Sequence, residues 1–366
     1  MLGREGGDAM TDVSSANELR FQQYAETVWP IHRYFTREKL ANRCSNCALS
    51  EVASPLKNGE CNYCREFTLT SIKRPDVHQE AEMLHRLRVV ANTEANHHAL
   101  VLLSGGKDST WLLWYLRNTI PELKILCLQV DNGFLSRPAI ENARRVTTLL
   151  DVDYVIYRPQ QSSLIRGFNA TFKQAVSTGC YGSVDNFDGS MSHDIGRTMA
   201  AQQSIPIVMS GVSWEQIQRI FKISHYQIPV SQEQQETLYW HPHLYNHIAD
   251  FFLPFAVWAK SEQGICHDLI KHNLMSRRQT SPLLTNSGLV PLMGVTDICN
   301  LGYNSFELEF CNMVRQGKAD YVFWSRVFSL LEYCGKTGFL LKPIVQKTMK
   351  KLRLTSRDLN IPWAKL

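Results

Sequence analysis

The chain has 366 residues, 44% of them hydrophobic and 20% charged, with a net charge of +5, which suits two or three packed domains and excludes a mainly disordered chain. The best apolar stretch, Ile248 to Ala259, is short and contains Asp250, so no transmembrane helix is expected. The opening MLGREGGDAMTD carries acids and glycines where a signal peptide needs an apolar run, and a cytosolic (cytoplasmic) protein is expected.

Residues 1–20 read as a polar leader, and Phe21, Tyr24, Trp29 and Tyr34 fall at helical spacing within 21–42. Two CxxC pairs follow, Cys44-Ser-Asn-Cys47 and Cys61-Asn-Tyr-Cys64, with 13 residues between them. A helical stretch from about residue 77 leads into an apolar strand ending at Ser104. Helices and strands then alternate: a helix at Ser109–Arg117, a strand at Leu123–Val130, a helix at Pro138–Leu150 and a strand at Asp153–Tyr157. Helices at Leu164–Val176 and Ser192–Gln203 precede the strand Ile205–Ser210, which closes the set. Such alternation predicts an α/β fold with a doubly wound parallel sheet.

Beyond residue 215 the pattern reads as mostly helical and rich in aromatic residues, with Trp240, Phe251, Phe255, Trp258, Trp324 and Phe328 among them. Aromatic stripes at helical spacing are read as core. The expected domains are a leader and helix (1–42), a zinc ribbon (43–76), a nucleotide-binding domain (77–215) and a helical C-terminal domain (216–366). The final segment is basic, with Lys342, Lys347, Lys350, Lys351, Arg353, Arg357 and Lys365 against Asp358. A solvated helix face accounts for such a run, and a nucleic-acid contact is not favoured.

The most informative segment is Ser104-Gly105-Gly106-Lys107-Asp108-Ser109, placed between a strand and a helix. Paired glycines let the backbone turn its N–H groups onto anionic oxygens, and the helix N-terminus adds partial positive charge. Lys107 can neutralise phosphate oxygens, Asp108 can hold Mg2+ that bridges them, and Ser104 and Ser109 offer hydroxyls. The GxxxxGK[ST] pattern of a Walker A loop is absent.

SGGKDS after an apolar strand resembles the signature of the PP-loop ATP pyrophosphatase (adenine nucleotide alpha hydrolase-like) superfamily, over roughly residues 95–215. That resemblance implies cleavage of ATP between its α and β phosphates, adenylation of a carbonyl oxygen and displacement of AMP by nitrogen or sulfur. Asp131, after the second strand, and Gly211, after the fourth, become candidates to line the adenosine site at the carboxyl ends of the strands.

The doubled CxxC has tetrahedral zinc spacing, with Cys44, Cys47, Cys61 and Cys64 as ligands of a closed structural Zn2+ site. RCSNC…GECNYC ahead of SGGKDS is similar to the N-acetyl sugar amidotransferase group. This chain departs from that group in carrying only Cys180, in TGCYGS, where a cysteine pair is usual, and Ser210-Gly211-Val212 where the strand usually ends in Gly-Glu. The resemblance implies a small-molecule acceptor and ammonia from a partner glutaminase. The other route is sulfur transfer from a sulfur-donor protein, with Cys180 as the catalytic carrier, and a homo-oligomer is left open.

Overall fold

The computed structural model describes residues 12–68, 76–179, 182–229, 234–258, 260–277, 279–281, 283 and 286–364. In chain order the helices are α1 (Asp12–Thr27), α2 (Trp29–His32), α3 (Asn62–Arg65), α4 (Val77–Ala91), α5 (Lys107–Thr119), α6 (Arg137–Leu149) and α7 (Gln161–Thr178). They continue as α8 (Ser183–Gln202), α9 (Trp214–Ile220), α10 (Glu262–Lys271), α11 (Val290–Leu301), α12 (Glu307–Arg315), α13 (Tyr321–Thr337) and α14 (Lys342–Leu352). The strands are β1 (Ala99–Leu102), β2 (Ile125–Val130), β3 (Asp153–Tyr157), β4 (Ile207–Ser210) and β5 (Asp250–Phe252). No described helix is long and apolar enough to cross a membrane.

Two compact units form, both discontinuous in sequence: one from 73–159 and 186–281, the other from 1–72, 160–185 and 282–366. The first holds a parallel sheet in the order β3-β2-β1-β4-β5. β1 and β2 are apolar and buried along their whole length, as expected of central strands covered on both faces. Gln129 is the exception within β2, and it is satisfied: it donates to the Ser104 carbonyl at 3.2 Å and accepts from the Tyr154 hydroxyl.

β5 corrects the expectation that Ile205–Ser210 closes the sheet. The short run Asp250–Phe252 pairs with β4 through Ile207 and Asp250, and Pro254–Ala256 after it form a 3-10 turn. Three residues are too few to show a period, so only the pairing reveals the strand. Phe251, Phe252, Phe255 and Trp258 beside it are buried, which bears out their reading as core.

The order in which strands are added reverses between β1 and β4, from which β2 and β3 extend to one side and β5 to the other. Register aligns Leu102 with Leu128 and with Ser210, so Ser104, Asp131 and Gly211 emerge at the same carboxyl edge. Open parallel sheets bind ligands in the crevice at such a point.

His193 of α8 is buried against Ser210, with its Nε2 3.2 Å from the hydroxyl, between the rings of Phe221 and Phe251. Burial, with the Arg197 charge second, pushes its imidazole down to about 3. An unfolded histidine protonates near pH 6.5, so below that the unfolded chain binds a proton the folded chain refuses. Stability contributed by neutral His193 is present above about pH 6.5 and is lost as pH falls toward 3, by up to about 1.4 kcal/mol per unit. Urea midpoints at pH 7.5 and 5.0 check this: wild type should lose about 2 kcal/mol more than His193→Gln, which carries no titrating ring.

The second unit is helical around the cysteine ribbon. Phe310 and Trp324 stack at 3.9 Å, and Trp29 donates to the Ser329 hydroxyl at 2.7 Å. Arg43, one residue before the first cysteine, is buried between two carboxylates, 2.9 Å from Glu307 of α12 and 3.1 Å from Glu332 of α13. Glu307 also accepts from Ser50 N, and Glu332 from Ala41 N. The ribbon is thereby keyed to two helices by charge as well as by packing. Removing one partner of such a buried network typically costs about 3–5 kcal/mol, because the remaining charge stays buried and uncompensated.

Candidate phosphate loop and metal centre

β1 delivers the chain to Ser104, and α5 starts at Lys107 with Gly106 as its N-cap. Gly105 has φ +82°, and a Cβ there would lie 2.0 Å from the Ala139 carbonyl oxygen. No L side chain fits that position. Asn142 of α6 fixes the turn by donating to the Gly105 carbonyl at 2.8 Å and to Thr110 Oγ1 at 3.2 Å. Ser104 Oγ and Ser109 Oγ lie 3.0 Å apart, and the Gly106 N–H donates to Ser104 at 3.3 Å. Gly211 belongs to the same construction, since a Cβ on it would come within 2.8 Å of Ser109 Cα.

Lys107 Nζ donates to Asp108 Oδ2 at 2.9 Å and lies 3.5 Å from Glu262 Oε1, at the first turn of α10. Burial works against the charge on Lys107, but Asp108 and Glu262 outweigh it and hold the ammonium well above the ordinary lysine range. Burial likewise pushes the Glu262 carboxyl up, with Lys107 opposing. Cys266, one turn further along α10, is half-buried, and burial followed by the Glu262 charge raises its thiol.

The predicted residues Ser104, Gly105, Gly106, Lys107, Asp108, Ser109 and Gly211 are therefore assembled in one place. Asp131 stands at the same edge of the sheet but is engaged in its own turn. It accepts from the Gly133 N–H at 2.8 Å and from Arg158 Nε at 2.8 Å. Cys180 lies outside the described residues. Glu262, Cys266, Asn142 and Gln129 were not foreseen. Ser261 before Glu262 does read as a helix N-cap, and it accepts from Gly264 N at 3.1 Å, yet nothing in the local pattern links α10 to the loop.

In the other unit, the sulfurs of Cys44, Cys47, Cys61 and Cys64 all lie within 4.8 Å of one another. Cys44–Cys64 and Cys47–Cys61 are each separated by 3.6 Å. A tetrahedral ion bonded at about 2.3 Å to four sulfurs sets them about 3.8 Å apart, so the donor set fits a single ion. A four-iron cluster ligates each cysteine through a separate iron and spreads the sulfurs further. Arg315 of α12 donates to Cys47 Sγ at 3.3 Å, and the Cys61 N–H donates to Cys44 Sγ at 3.4 Å. These donors would offset the negative charge that four thiolates leave on a divalent ion.

No family model matches the chain. Among curated proteins it is 30% identical over 142 residues to Uncharacterized protein MJ1599 of Methanocaldococcus jannaschii, a match covering 37% of this chain and 47% of that protein. The chain thus spans about half the length of the curated relative it matches. Among solved structures it is similar to an NH3-dependent NAD synthetase from Campylobacter jejuni, at 15% identity and TM-score 0.36, over 71% of this chain and 95% of the other. A U34-tRNA thiolase, NcsA, from Methanococcus maripaludis with its 4Fe–4S cluster matches at 12% identity and TM-score 0.36, over 82% and 89%. An NMN synthetase from Francisella tularensis matches at 13% identity and TM-score 0.37, over 77% and 98%.

Proposed function

We propose that this chain is a PP-loop ATP pyrophosphatase that activates a carbonyl or amide oxygen as an AMP ester and then transfers nitrogen to it. The observation that carries the reading is the loop itself: SGGKDS sits at the carboxyl edge of β1, tightened by Gly105 and Gly211, with Lys107 and Asp108 at the N-terminus of α5. The backbone turn and the helix N-terminus create a positive concavity for phosphate oxygens, and Lys107 adds a full charge. Magnesium bound with the nucleotide would supply further charge neutralisation, and Asp108 is the carboxylate to hold it.

The acceptor oxygen attacks the α phosphorus and pyrophosphate leaves, with its developing charge stabilised by Lys107 and the loop. Ammonia then attacks the activated carbon and AMP leaves. An acetamido-sugar-like acceptor and a partner glutaminase complete this reading, which rests on the RCSNC…GECNYC form ahead of the loop. The four-cysteine centre is assigned to one structural Zn2+, since four thiolates leave no coordination position for substrate.

Sulfur transfer is the second reading, because Cys266 places a thiol one turn from the Glu262 that touches Lys107. One experiment tests the family and separates the routes. The protein with MgATP and candidate acceptors should form an AMP adduct and release pyrophosphate. If ammonia is the nucleophile, Cys180→Ser and Cys266→Ser keep most turnover. If sulfur is transferred, one of them abolishes product while adenylation persists. A persulfide detected on either cysteine overturns the nitrogen route, and absence of pyrophosphate release with every acceptor class overturns the assignment.

A further inference from the structure

Lys107 is the phosphate-directed cation of the loop, yet its ammonium lies between two carboxylates, Asp108 at 2.9 Å and Glu262 at 3.5 Å. Asp108 is its sequence neighbour. Glu262 is not: it comes from α10, held at the helix start by the Ser261 cap, and its side chain is only 14% exposed. A mostly buried carboxylate in a capped first turn has little freedom to follow Lys107 or to reach bulk water. If Lys107 turns toward a polyphosphate, Glu262 loses its counter-ion while remaining buried beside Asp108. An uncompensated buried carboxylate is strongly unfavourable, so Glu262 must either take up a proton or gain another cation in place of Lys107. The nucleotide brings one, since Mg2+ is bound through one or two carboxylates together with phosphate oxygens.

We propose that Glu262 is a reserve carboxylate for the nucleotide's divalent cation: it holds Lys107 in the resting protein and takes the cation when Lys107 turns to the phosphates. This rests on the ATP-binding reading above and extends it to a residue outside the loop. The structural consequence is that metal and nucleotide binding are coupled through α10. Metal-free nucleotide binds poorly because freeing Lys107 strands Glu262, and magnesium removes that cost.

The test measures the affinity of the full chain for α,β-methylene-ATP by calorimetry, once with excess magnesium and once with EDTA. Wild type should bind more tightly with magnesium. In Glu262→Gln, the metal-free affinity should rise and the advantage conferred by magnesium should shrink at least fivefold, the low end of typical coupling between two ligands. Glu262→Asp, which retains the charge on a shorter stem, should restore part of that advantage, and Gln263→Ala on the exposed side of α10 should match wild type. An unchanged magnesium advantage in Glu262→Gln overturns this inference and leaves the ATP-binding reading standing. If Glu262→Gln fails to fold, a wild-type affinity for the analogue that magnesium does not raise overturns it equally. Wild type that binds the analogue under neither condition overturns the ATP-binding reading, and this inference with it.

Discussion

Replacing Lys107 or Asp108 with alanine is expected to lower ATP-dependent pyrophosphate release by a factor of at least 100, without unfolding the protein. Removing one preorganised donor aimed at developing charge costs about 100- to 1,000-fold in other enzymes, and Lys107 carries a full charge rather than a dipole. The fold should survive because both side chains are a quarter exposed, while the loop is shaped by backbone turns and by Asn142. The two variants should differ in character. Lys107→Ala leaves Asp108 and Glu262 facing each other without a cation, so its melting temperature should fall more than that of Asp108→Ala, which keeps the Lys107–Glu262 pair. Pyrophosphate release within a few-fold of wild type in both, with magnesium dependence unchanged, would reject the phosphate-loop assignment.

The second large effect concerns the cysteine centre. Protein purified without chelator should contain one zinc per chain, and Cys61→Ser should abolish stoichiometric binding. Apparent zinc binding energies in isolated fingers are about 10–16 kcal/mol, and most of that is folding energy. Here the ribbon is not an isolated finger. Arg43 joins it to Glu307 and Glu332, and Arg315 donates to Cys47. Chelation should therefore raise amide exchange in residues 41–66 and also in α12, where Glu307 and Arg315 lie, before it affects β1 and β2. Metal analysis finding less than a tenth of an equivalent would refute the zinc assignment. Exchange confined to the ribbon would refute the coupling to α12.

Several features of this fold were legible because they are written in neighbouring residues. The alternation of apolar strands and helices through residue 210 locates β1 to β4, and Asp153–Tyr157 matches in full, since side-chain period and helix caps are local properties. β5 was not legible: three residues carry no period, and the strand exists only because Asp250–Phe252 can pair with the open edge of β4. α8 also begins earlier than the sequence suggests, at Ser183 rather than Ser192, because Gly189 and the Asp, Asn and Ser residues between them are weak helix formers that mask the apolar face of Val184, Phe187 and Met191.

The same division runs through the candidate sites. SGGKDS is contiguous, so its position between strand and helix, and the paired glycines that turn it, follow from the sequence by itself, whereas the carbonyl of Ala139 that leaves no room for a side chain at 105 comes from a separate helix. The four-sulfur set also follows from the sequence, because two CxxC turns each supply a pair of ligands and need only be brought face to face. What surrounds them was decided by tertiary structure alone. Glu262 reaches Lys107 from a helix far along the chain, and Arg43 finds Glu307 and Glu332 across an even longer separation. No local propensity encodes such pairs. A glutamate in a first helical turn, or an arginine before a cysteine, has the same local preference whether it faces water or a buried opposite charge. Only packing, which removes water and leaves each charge to find a partner, selects between the two.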